Sequence, residues 1–85
     1  MAKFLIQSVF ALPNELVLAG IVQDGSITIG MKSKGFLEDM TVKSIEQSNK
    51  KIPSASAGMN AGLHVNRLKS MKNESSLFNK IIEFS

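Results

Sequence analysis

The chain contains no cysteine, no tryptophan and no tyrosine. Without cysteine it can form neither a disulfide nor a thiolate metal site. A single histidine, His64, leaves a metal centre short of the several ligands it needs. A general base also needs an oriented partner beside it, and the sequence around His64 identifies none. Five phenylalanines carry all the aromatic weight. A small core is expected to use most of them, which leaves little for a base-stacking surface. No window is long enough and apolar enough to span a bilayer. Lys3, followed by Phe4, Leu5, Ile6, Val9 and Phe10, faintly resembles a signal peptide. Gln7, Ser8, Pro13, Asn14 and Glu15 interrupt that run, and no convincing cleavage site follows. A soluble, cytoplasmic protein is expected, with no membrane contact.

Paired catalytic groups are also scarce. The acids are scattered, and only Glu38 and Asp39 are adjacent. Neighbouring residues on a strand point to opposite faces, so these two are expected to cap a turn. Gly25-Ser-Ile-Thr-Ile-Gly30-Met31-Lys32-Ser33 comes one residue short of a phosphate-binding P-loop, because Met31 stands where the motif needs lysine. Gly58-Met-Asn-Ala-Gly62 has the spacing of a helix-dimer motif but no apolar helix around it, and tight sheet packing is the expected meaning. Asn73-Glu74-Ser75 matches a glycosylation acceptor and marks an exposed loop. No enzyme, cofactor, metal or GTP site is expected.

What the chain does have is short apolar runs punctuated by turn residues. Its 85 residues make one domain, 1–85. A chain of this length buries about two-thirds or less of its unfolded surface. The organising stretch is Leu16 to Met31, where apolar runs flank Asp24-Gly25, a hairpin signal because both residues tolerate positive φ. Gly20, inside the first run, marks a bulge or a close backbone approach. Strands are expected over Lys3–Phe10, Glu15–Gln23, Ser26–Ile29, from Phe36 or Leu37 to Gln47 (clearest over Met40–Gln47), Gly62–Val65 and Leu77–Phe84. In the first, Phe4, Ile6 and Ser8 share one face, and Val9-Phe10 implies burial on both sides. Alternation over Met40–Gln47 is imperfect. Ala11–Asn14 is a turn, and Ser48–Lys51 and Asn66–Ser76 are polar loops. Many short strands with Gly-rich turns argue for an all-β fold, a barrel or a sandwich. Closure into a barrel of six to eight strands removes the exposed edges that a small β protein must manage.

Charge is uneven. Residues 1–42 hold three cations and four acids, and residues 43–85 hold seven cations and three acids. The net charge of +3 therefore comes from the second half. Lys43, Lys50, Lys51, Arg67, Lys69 and Lys72 are the candidates for phosphate contacts. The plain alternative is a solubilising lysine surface.

Val9-Phe10, Val17-Leu-Ala-Gly20-Ile-Val22, Gly25-Ser-Ile-Thr-Ile-Gly30, Val42-Lys-Ser-Ile-Glu46 and Ala55-Ser-Ala-Gly58-Met-Asn-Ala-Gly62-Leu63 occur in that order. The order and spacing resemble domain II of the translational GTPases, the β-barrel of elongation factor Tu and of the selenocysteine-specific factor. The likeness runs from Phe4 to Val65, and weakly beyond. It departs at Ile21, where many relatives carry arginine, and at Met31 and Met59, where many carry aspartate. No GTPase domain accompanies it, so the chain looks like a free-standing domain II, as in small archaeal-type proteins. The resemblance implies a closed barrel and contact with the small ribosomal subunit, ribosomal RNA or the tRNA acceptor end. The expected function is a non-catalytic, RNA- or ribosome-associated module. The alternative is a protein-interaction module or homodimer, with Met31, Met40, Met59 and Met71 as adaptable contacts.

Overall fold

A computed structural model describes residues 1–33, 40–66 and 77–85. Within them the chain is all β, with eight strands and no α-helix. In order these are β1 (Ala2–Ala11), β2 (Glu15–Asp24), β3 (Ser26–Thr28), β4 (Val42–Gln47), β5 (Lys50–Ile52), β6 (Ser54–Ser56), β7 (Asn60–Asn66) and β8 (Ile81–Phe84). No described helix is long and apolar enough to cross a membrane.

Six strands form one antiparallel sheet in the order β5-β4-β7-β2-β1-β8, and β3 pairs with β6 in a second. β2 sits inside the larger sheet and shows a clean period of two: Leu16, Leu18 and Val22 are fully buried, and Glu15, Val17, Ala19 and Ile21 alternate with them. Phe4, Ile6, Leu63, Val65, Val42, Ile45, Ile82 and Phe84 complete the same core, with Ile27 and Ala55 capping it from the small sheet. Neither sheet closes on itself into the expected six- to eight-stranded barrel, because β5 and β8 end the larger ladder. Among the described residues, the stretch 31–33 lies between β8 and β4 and forms isolated bridges from Lys32 to Thr41 and from Ser33 to Phe84.

Several expectations change in the fold. The chain turns at Asp24-Gly25, with Gly25 at φ 70°, but β2 and β3 do not pair. Both flanks of β2 are already taken, by β1 as far as Asp24 and by β7, so β3 leaves the sheet for β6. Ser48–Lys51 is not all loop. The turn is Ser48-Asn49, both at positive φ (52° and 65°), and Lys50 already pairs with Gln47. Two consecutive positive φ values define the hairpin turn whose usual signature is Asn-Gly, so Ser-Asn hides it. Ser54–Ser56 forms β6, a strand that the expected set leaves out.

Two bulges account for the broken alternations. A register shift between Ile6 and Ser8 leaves Ser8 exposed and turns Val9 onto the core. Phe10 then faces outward at 56% exposure, against the expected two-sided burial. A shift between Val42 and Ser44 puts Val42 and Ile45 on the same buried side, three residues apart. Only Phe4 and Phe84 of the four described phenylalanines enter the core, and Phe78 is 61% exposed. The core is filled instead by aliphatic side chains.

The small sheet has a local near-symmetry. Ser26-Ile-Thr-Ile-Gly-Met31 and Ser54-Ala-Ser-Ala-Gly-Met59 each run as strand then turn. In each turn the Met N–H donates to the carbonyl three residues back (Met31 to Thr28, 3.2 Å; Met59 to Ser56, 3.0 Å). Each turn places glycine at positive φ, 97° for Gly30 and 91° for Gly58. Each Met Sδ accepts the N–H that opens its turn, from Thr28 at 3.4 Å and from Ser56 at 3.2 Å. One turn docks on Val42 and the other on Val22 through paired main-chain bonds. A Cβ on Gly58 meets nothing within 4 Å, so only the backbone dihedral opposes a side chain there. Gly58→Ala is expected to cost about 1–2 kcal/mol, read as a Tm lower by roughly 4–8 °C per kcal/mol. An unchanged Tm would show that the turn relaxes freely.

Candidate functional site

β4 and β5 form a hairpin at one end of the large sheet, and it carries the described basic candidates. Lys43 is exposed on β4, and Lys50 and Lys51 are exposed on β5. Arg67, Lys69 and Lys72 lie outside the described residues. Lys50 pairs with Gln47 at one end of β4. Asn66, which ends β7, takes the Thr41 N–H on its side-chain oxygen at 2.6 Å, beside the other end of β4. These two points are about 17 Å apart at strand spacing. Lys50-Lys51 and the exit of β7 therefore mark opposite ends of β4.

Beside the Lys50-Lys51 end lies an open groove of about 390 Å³. Its floor comes from the paired small residues of β2 and β7, Ala19 against Gly62 and Gly20 against Ala61. Gln7, the bulge residue of β1, forms one wall. Glu46, Gln47 and Ser48 form another, and Asn60 closes it. Lys50 and Lys51 pair directly with Gln47 and Glu46 across the hairpin, so the cations border the groove. The hollow exists because Gly62 has no side chain. A Cβ there would meet Val17 Cγ1 at 3.7 Å and the Glu46 carbonyl at 4.0 Å, which is ordinary contact. The expected tight packing at Gly58 and Gly62 is thus not their role: one makes a turn, the other a groove floor.

His64 stands next to this floor on the same face of β7. It has partners that the sequence did not identify. Its Nδ1 lies 2.9 Å from Glu15 Oε1, and its Nε2 lies 2.9 Å from Glu46 Oε1. The register explains the contacts. His64 pairs with Val17 of β2 and Ser44 of β4, so Glu15 and Glu46 are its diagonal neighbours on either side. A ring carrying both protons donates to both carboxylates, and a neutral ring donates to one. The carboxylates approach opposite ring nitrogens, so the three groups do not converge on one ion. No cluster suited to a metal occurs among the described residues. Only pairing register brings Glu15, Glu46 and His64 together, and no local motif in the sequence encodes it.

Compared with known proteins, the chain matches no family model and no curated protein.

Proposed function

We propose that the chain is a non-catalytic RNA-binding module of the translation-factor domain II type, acting on the ribosome, ribosomal RNA or tRNA. The observation that carries this reading is the groove walled by amide, hydroxyl and carboxylate side chains beside exposed Lys50 and Lys51. Lysines position a phosphate backbone without reading its sequence. Gln7, Gln47 and Asn60 offer both donors and acceptors to a sugar or a base edge. The carboxylates of Glu15 and Glu46, each 2.9 Å from a His64 ring nitrogen, stand between the ring and a substrate, which supports a non-catalytic role. The barrel belongs to the same proposal. The bridges from Lys32 to Thr41 and from Ser33 to Phe84 support a seam between β4 and β8. So do the paired Lys32–Ser85 bonds, both 2.9 Å.

The test is RNA or ribosomal-subunit binding measured across a salt series. Replacing Lys43, Lys50 and Lys51 together by Ala is expected to lower the log–log salt slope by about 2, at roughly 0.7 per phosphate contact on single strands. Gly62→Ala shallows the groove and is expected to weaken binding with the slope unchanged. Wild-type affinity and slope in the triple variant would overturn the reading.

A further inference from the structure

The two flanks of the large sheet are treated differently. β5 ends one side with Lys50 and Lys51, charges that discourage another strand from adding there. On the other side, β8 covers only Ala2 to Leu5 of β1. Asn79 and Lys80 add main-chain bonds at Ile6, and among the described residues main-chain pairing on that flank stops there. The Leu12 N–H donates to the Glu15 carbonyl at 2.8 Å, which fixes the phase of the β1–β2 ladder. Ser8 and Phe10 exchange their main-chain bonds with β2, and the N–H and C=O groups of Val9 and Ala11 point the other way. Among the described residues nothing hydrogen-bonds to those outward groups. The stretch Leu5 to Asn14 carries no charge at all. Phe10, Leu12 and Phe78, at 56%, 41% and 61% exposure, lie along this open edge.

We infer that the Ser8–Ala11 edge of β1 is a self-association site for a second copy of this chain, paired antiparallel about a two-fold axis at Phe10. The phase selects that axis. With Val9 and Ala11 pointing outward, Val9 of each copy exchanges bonds with Ala11 of the other, and Phe10 faces Phe10. An isologous contact sets every residue against its own kind near the axis. A charge there would repel itself, and this ten-residue run has none. The facing Phe10 pair is of the non-hydrogen-bonded type, in which side chains approach most closely. Leu12 then lies against Ser8 of the second copy, close to where Phe78 precedes the Asn79–Ile6 bond. One contact thereby covers three exposed apolar side chains that the core leaves out.

Sedimentation equilibrium of the full chain in high salt, over a concentration series, is the first measurement, and a reversible monomer–dimer equilibrium is expected. Phe10→Lys and Phe10→Glu are each expected to weaken the dimer by about tenfold or more, because like charges meet across the axis. An equimolar mixture of the two should recover it. Ala11→Pro removes an outward N–H that β2 does not use, and should also give monomers while keeping the urea midpoint. Because the chain has no cysteine, Phe10→Cys gives a clean readout: with oxidised glutathione it should form a covalent dimer. Ile29→Cys, at a site 53% exposed, should not. A wild type that stays monomeric at every concentration overturns the inference and leaves the edge to a strand from another protein. So does a dimer that survives Phe10→Lys, or equal crosslinking by both cysteines.

Discussion

Gly20→Ala is expected to leave the protein largely unfolded. Gly20 occupies an inward position of β2, between fully buried Leu18 and Val22. A Cβ there would sit within 1.9 Å of the Leu5 carbonyl oxygen and 3.2 Å of the Gln7 N. Both neighbours are backbone, so no side chain can swing aside. β1 would have to lift off β2 at the point where its Ile6–Ser8 bulge bends it over that strand. Overpacking a core costs about 1–3 kcal/mol when side chains can adjust, and more when they cannot. A chain of this length has about 4–13 kcal/mol of stability in all. Gly62→Ala is the internal control. Its methyl group finds van der Waals room, and losing a glycine restricts the unfolded chain, so a gain of about 0.4–1 kcal/mol is expected. Urea denaturation of the two variants decides the matter. Equal midpoints would mean that β1 does not press on β2 as described.

Phe84→Ala is expected to cost about 3–5 kcal/mol. Phe84 is fully buried near the end of β8, paired with Ala2 and bridged to Ser33. Truncation leaves its main-chain bonds in place and opens a cavity among side chains from both ends of the chain. Phe10→Ala, measured in dilute solution where any self-association is negligible, should stay within about 0.5 kcal/mol of wild type. The pair isolates burial from residue type, because both are phenylalanines on strands. If both variants unfold at the wild-type urea midpoint, Phe84 does not pack in the core.

This contrast shows where sequence reading stops. Nothing local separates Phe84 from Phe10. A bulge at Gln7 shifts the register of β1 and turns Val9, not Phe10, inward. The same parity change at Lys43 disguised β4. The hairpin at Ser48-Asn49 is hidden in the sequence because its positive φ values fall on residues that do not advertise them. The site was legible only in pieces. Lys43, Lys50 and Lys51 were found as charges. The groove arises from Ala19, Gly20, Ala61 and Gly62 meeting across two strands, and the His64 contacts arise from three.

The sequence by itself determined the all-β class, the positions of the longer strands, a bulge or close approach at Gly20 and the basic second half. Those properties follow from side-chain alternation, from a glycine placed within a long apolar run, and from counting charge. The tertiary structure alone decided which strands are neighbours and which of the described phenylalanines are buried. It also decided that His64 lies between Glu15 and Glu46. Each of these depends on pairing register, and one residue of slip moves a side chain from the core to the surface.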